Sequence, residues 1–134
     1  MEHMKTIGLL LVMCLLFCAC GGRTGSAQLV VGDSVRYQDT EIRDAMEQVM
    51  KQFRSGFRGC KLTELVYDET FSDGACEEWA AQYDAAEAII LTSTFEVGAR
   101  GDGSLTPNST YGNWQWILVR DEGGPWVLKT WGYG

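Results

Sequence analysis

Histidine is nearly missing from this chain: of 134 residues only His3 carries an imidazole, and it lies in the first few positions. If the leader described below is removed, the remaining chain has none. That removes the side chain best suited to general acid–base work near neutrality, and the commonest transition-metal ligand. Basic residues are also scarce. There are 11 Lys and Arg against 18 Asp and Glu. The leader takes Lys5 and Glu2 with it, so 10 and 17 remain and the net charge stays at −7. No basic stripe appears along the sequence, which argues against nucleic acid and against electrostatic docking on anionic lipid. A transmembrane helix is lacking as well, because the one long apolar run is too short to span a bilayer. No cofactor motif and no metal-ligand spacing is present. What remains is a globular composition, 46% hydrophobic and 22% charged, with room for one domain.

The apolar run itself is informative. Met4-Lys5-Thr6-Ile7 is a short charged start, and Gly8 to Phe17 is an apolar stretch ending in small residues. Residues 1–19 therefore read as a signal peptide, with Met4 a more ordinary start than Met1. Ala19-Cys20-Gly21 resembles the junction at which bacterial lipoproteins receive diacylglycerol on the cysteine sulfur. Phe17 and Cys18 depart from the aliphatic and small residues preferred there, and plain secretory cleavage near Ala19 is the alternative. Lipidation at Cys20 implies a location on the extracytoplasmic face of the cell membrane, with the membrane as a partner through the anchor. Residues 20–38, rich in Gly, Ser and Thr, read as a tether that holds the domain roughly 20–25 Å from the membrane. Leu29-Val30-Val31 is its one apolar patch, either part of the tether or an edge strand.

Residues 39–134 form the domain. Asp39-Thr40-Glu41 opens a helix, and Ile42, Met46, Val49, Phe53 and Phe57 recur at three- and four-residue spacing along one face. Gly56 and Gly59 end it. Leu62 to Tyr67 is β-prone, and Ile89, Leu91, Phe95 and Val97 alternate with Ile90, Thr92, Thr94 and Glu96 on a strand with one more polar face. Ser72 or Asp73 caps a short helix carrying Trp79, Ala80 and Tyr83. The runs Trp114 to Val119 and Trp126 to Trp131 flank Asp121-Glu122-Gly123-Gly124-Pro125, a hairpin signal. The expected fold is α+β, in the order α-β-α-β-β-β, with one long helix on a curved antiparallel sheet of about four strands.

That element order resembles cystatin-like and NTF2-like rolls. Gly59-Cys60-Lys61-Leu62-Thr63-Glu64-Leu65, Glu78-Trp79-Ala80, the loop from Asp102 to Tyr111, and the Trp-rich stretch from Trp114 to Tyr133 resemble a group of uncharacterised small lipoproteins and extracytoplasmic domains of Gram-positive gut bacteria. The resemblance implies a fold and a location, and it implies no reaction.

Few residues carry chemistry. Cys60 and Cys76 either pair, closing a loop worth ~3 kcal/mol in the chain-entropy model, or stay as thiols. Glu64, Asp68 and Glu96 lie on or beside strands; two of them facing a pocket would supply a carboxylate base. Arg100-Gly101-Asp102 reads as turn chemistry rather than an adhesion motif. Trp114 and Trp116 share a face, as do Trp126 and Leu128, while simple alternation sends Trp131 the other way with Val127 and Lys129. These four tryptophans are either core or a candidate ligand surface. The functional expectation is a lipid-anchored binding or accessory domain of unidentified protein or small-molecule partner. The alternatives are a small NTF2-like pocket enzyme with a carboxylate base and a protein-docking inhibitor or sensor domain.

Overall fold

The computed structural model describes residues 21–133, so the leader and the Cys20 junction lie outside the described residues. Eight elements follow along the chain: β1 (Gln28–Val31), α1 (Asp39–Gly56), β2 (Cys60–Tyr67), α2 (Glu69–Asp73), α3 (Cys76–Gln82), β3 (Glu87–Val97), β4 (Thr110–Arg120) and β5 (Val127–Tyr133). The strands make one open sheet in sequence order, β1-β2-β3-β4-β5. β2 to β5 pair antiparallel, and β1 lies parallel to β2 with Leu29 beside Leu65 and Val30 beside Val66. No described helix is long and apolar enough to cross a membrane.

Three features differ from the sequence expectation. Five strands replace four, because Leu29, Val30 and Val31 join the sheet as its outermost strand. A parallel neighbour needs a long crossover, and α1 provides it between β1 and β2. Residues 21–27, expected as tether, also touch the domain: the Arg23 N–H donates to the Cys60 carbonyl at 2.9 Å and the Leu62 N–H to the Arg23 carbonyl at 2.8 Å. The expected single short helix is two. Asp68 caps the first by accepting from the Phe71 N–H, and Ser72 lies buried, its hydroxyl accepting from the Ile90 N–H at 3.1 Å.

The long helix packs as its spacing predicts. Ile42, Ala45, Met46, Val49 and Phe53 are fully buried, with Phe57 close behind, against Leu62, Leu65, Ile89, Leu91, Phe95, Trp116 and Leu118. Its N-terminus is held by Glu41, whose side chain accepts from the Gln38 N–H at 3.0 Å, so Gln38 rather than Asp39 precedes the first turn. The opposite sheet face is covered only in part. Cys76, Ala80, Trp79 and Tyr83 pack over Ala88, Ile90, Ile117 and Val119. Beyond them Lys61, Glu64, Thr92, Thr94 and Glu96 leave that face polar and partly or wholly exposed. Alternation along β3 therefore separates a sealed layer from a half-open one.

Candidate functional site

The C-terminal hairpin decides where the aromatic side chains go. β4 pairs Leu118 with Leu128 but Ile117 with Thr130, so β5 carries one extra residue, a bulge at Lys129. A bulge shifts the alternation of everything beyond it. Trp131, expected with Val127 and Lys129, instead lies opposite Trp116 on the α1 face, their rings 5.7 Å apart. A second bulge in β4, where Asn113 takes φ 54°, sets Tyr111 opposite Phe95. All four hairpin tryptophans consequently share the face under α1.

They do not share an environment. Trp116 is fully buried and Trp126 is 5% exposed, so both belong to the core rather than to a ligand surface. Trp126 is fixed further by its indole N–H, which donates to the Glu41 carbonyl at 3.0 Å. Trp114 is half-buried, and its indole nitrogen is sealed from solvent without a hydrogen-bond partner among the described residues. Trp131 is 40% exposed and Tyr133, which the surface reading omitted, is 62% exposed. Two residues apart beyond the bulge, they stand on one face of β5, which has a neighbour on one side only.

Behind this exposed pair the rings are tightly connected. Tyr133 lies 5.3 Å from Trp114 and 5.5 Å from Tyr111, and Trp114 lies 5.3 Å from Phe95. Phe57 sits at the centre, with Phe53 stacked at 4.9 Å and Trp116 at 5.3 Å. An aromatic ledge backed this way loses little side-chain freedom on contact with a ligand.

The other residues singled out do not converge. Glu64 faces Thr94 and Glu96 faces Lys61 on the polar sheet face, while Asp68 caps α2. None of the three lines any of three surface clefts, of 320, 340 and 350 Å³, among the described residues. Cys60 and Cys76 are both free and buried, so of the two alternatives the structure has the thiols. The sheet separates them: Cys60 faces α1 at the start of β2, and Cys76 opens α3 on the other side. Burial pushes the Cys60 thiol up, with Asp102 adding to it. Arg100-Gly101-Asp102 sits in a turn closed by the Gly101 N–H to the Gly98 carbonyl, as turn chemistry requires. No cluster of three or more metal-ligating side chains occurs among the described residues.

Two polar clasps went unread in the sequence. Arg120 bridges Glu87 at 2.6 Å and Glu41 at 2.7 Å, and lies 4.2 Å over the Trp126 ring. Glu69 accepts from the Ser34 hydroxyl, the backbone N–H groups of Val35 and Arg36, and the Tyr67 hydroxyl. Those donors, Ser34 first, hold its carboxyl down at about 2. Apart from Tyr67, the hydrogen-bonded partners in both clasps lie more than 30 positions apart, so no local pattern announces them.

No family model, curated protein or solved structure matches this chain. What the fold defines is an α+β domain built on a five-stranded open sheet. What the site offers is an exposed aromatic pair at one sheet edge.

Proposed function

We propose that the protein is a lipid-anchored binding or accessory domain on the extracytoplasmic face of the cell membrane, engaging its partner through Trp131 and Tyr133. The observation that carries the binding reading is the exposure of these two rings on a β5 edge backed by packed aromatic rings. Apolar and aromatic surface of this kind is enriched where proteins hold partners. Its contribution depends little on salt, and nucleic acid is not the partner on this reading. The long helix against a largely antiparallel sheet is in keeping with a cystatin-like or NTF2-like roll, and with the small extracytoplasmic lipoproteins the sequence resembles. The enzyme alternative needs converging carboxylates, and Glu64, Asp68 and Glu96 offer no such meeting point.

Two measurements test the two halves. Fatty-acid labelling of cells should mark the wild type and spare Cys20→Ser; equal labelling would sink the anchor. For binding, the unlipidated Cys20→Ser protein is titrated with envelope oligosaccharides, extended peptides and small apolar molecules while tryptophan emission is followed. A saturable change, weakened roughly tenfold in Trp131→Ala, is the expected result. Saturable binding that ignores both Trp131→Ala and Tyr133→Ala would place the site elsewhere.

A further inference from the structure

The fold sorts charge that the sequence leaves mixed. Where α1 ends, β2 begins and β3 ends, five basic residues meet: Arg23, Arg54, Arg58, Lys61 and Arg100. Arg23 is there because it bridges Lys61 in parallel. Arg54 and Arg58 flank the end of α1, and the Arg100 turn is held down by the Gly98 N–H on the Gly59 carbonyl at 3.1 Å. All but Lys61 are exposed. The acidic groups facing them are three. Glu47 pairs with Arg54 at 2.6 Å, Glu96 lies across from Lys61, and Asp102 follows in the Arg100 turn. At the other end the stretches 33–44, 68–78, 84–87 and 121–122 hold thirteen acidic residues, with Arg36, Arg43, Arg120 and Lys129 beside them.

The chain enters at the basic end. The Gly22 N–H donates to the Arg54 carbonyl at 3.1 Å, and a Cβ at Gly22 would stand 2.2 Å from the Phe53 carbonyl oxygen. Only glycine fits so close to the last turns of α1. Gly22 is two residues from Cys20, so the docked chain begins almost at the cysteine read as the anchor.

The geometry points to the basic end as a face that docks on anionic phospholipid headgroups. Resting on the reading of Cys20 as lipidated, this leaves Gly21 as the slack between anchor and domain, in place of a long tether. Arg23, Arg54, Arg58 and Arg100 then lie at headgroup level, and Trp131 and Tyr133 sit at the membrane-proximal end of β5. The acidic end does not cancel the attraction. The eleven-residue strands β3 and β4 hold the two ends roughly 35 Å apart. That exceeds three Debye lengths of about 10 Å, so the surface feels mainly the near charges. The net charge of −7 thus conceals a polar distribution, and the sequence argument against anionic lipid gives way because the basic residues gather only in the fold.

The experiment uses the lipidated chain in phosphatidylcholine vesicles with or without about one-third phosphatidylglycerol. A fluorophore is placed at Ala99→Cys on the basic end or at Glu78→Cys on the acidic end, and nitroxide headgroup lipids act as quenchers. Quenching at position 99 but not at 78, stronger with phosphatidylglycerol and lowered roughly fivefold by Arg23→Glu, Arg58→Glu and Arg100→Glu together, is expected. Equal quenching at both positions, or none at 99, overturns the docking face. If fatty-acid labelling shows that Cys20 carries no lipid, the anchor fails separately. Flotation of the unlipidated chain with the same anionic vesicles at low salt then decides the docking face alone. Flotation abolished by the triple reversal supports it, and no flotation overturns it.

Discussion

The two ends of this domain are held by different physics. At the end where α1 finishes, the interior is a lattice of rings: Phe53, Phe57 and Phe95 lie within 6 Å of one another, with Trp114 and Trp116 against them. At the end where α1 begins, a smaller group of buried rings, Tyr37, Tyr67 and Trp126, is joined by charge that closes the structure. Arg120 joins β4 to β3 and to the first turn of α1, and Glu69 ties the β1–α1 connection to α2. Dispersion and apolar burial are indifferent to pH, whereas clasps of carboxylate and guanidinium titrate and are screened. One end is therefore constant across solution conditions and the other is adjustable.

The sharpest way to break the contrast is to cut a ring from the first end. Phe53 is fully buried between Phe57 and Phe95, so Phe53→Ala should cost ~3–5 kcal/mol of unfolding free energy. Denaturant midpoints measured at low and high salt should fall by the same amount. An unchanged midpoint would mean that the ring lattice is not the source of stability at this end.

Removing Arg120 is the matching test at the other end. Its side chain is 12% exposed, and Arg120→Met leaves Glu41 and Glu87 without their shared cation beneath Trp126. The cost should be about 2 kcal/mol, since both carboxylates keep access to water and regain part of their hydration. This loss should shrink in high salt, where the clasp is worth less. A cost as insensitive to salt as that of Phe53→Ala would erase the distinction.

Much of the ring-packed end was legible in the sequence. The three- and four-residue spacing of Ile42, Met46, Val49, Phe53 and Phe57 predicts the face of α1 that is buried, and alternation predicts which β3 residues meet it. Bulges were not legible. One inserted residue at Lys129 reverses Trp131, and nothing in Val127 to Trp131 marks the phase change. The choice between tether and edge strand for Leu29 to Val31 stayed open in the sequence for a related reason. Three apolar residues in a Gly- and Ser-rich stretch say too little locally, and β1 exists because β2 presents an open edge beside them. The clasps pair Ser34 with Glu69 and Glu41 with Arg120, separations of 35 and 79 residues, which only the assembled fold can show.

Acid should loosen the Glu69 clasp and leave the rings alone. The folded-state value of about 2 lies below the ordinary 4.5. The clasp thus contributes its full stability above about pH 4.5 and loses it as the pH falls toward 2. In Glu69→Gln that share of the acid sensitivity should disappear, with a smaller loss at pH 7 than for Arg120→Met. Trypsin offers a local reading, because Arg36 donates its backbone N–H to Glu69 and its side chain pairs with Asp73 at 3.0 Å. Cleavage after Arg36 should be faster in Glu69→Gln than in the wild type. Equal cleavage rates would show that the connection is held by something other than Glu69.

The smallest expected effect on stability belongs to Tyr133, and it separates structure from binding most cleanly. The residue is 62% exposed on the edge strand, touching Tyr111 and Trp114 but sealing no core. Tyr133→Ala should shift unfolding by no more than about 0.5 kcal/mol. Trp131→Ala should cost somewhat more, about 1 kcal/mol, because its ring leans on Trp116 and Phe57. If these rings form the ledge that meets a partner, both substitutions should weaken binding far more than they weaken the fold. Plotting the loss of binding against the loss of stability makes the distinction measurable. Phe53→Ala should lose stability first, and bind normally under conditions where it remains folded. Tyr133→Ala should stay folded and bind poorly. A Tyr133→Ala protein with wild-type affinity and wild-type stability would reduce the exposed ring to incidental surface, and the ligand would then have to be sought away from β5.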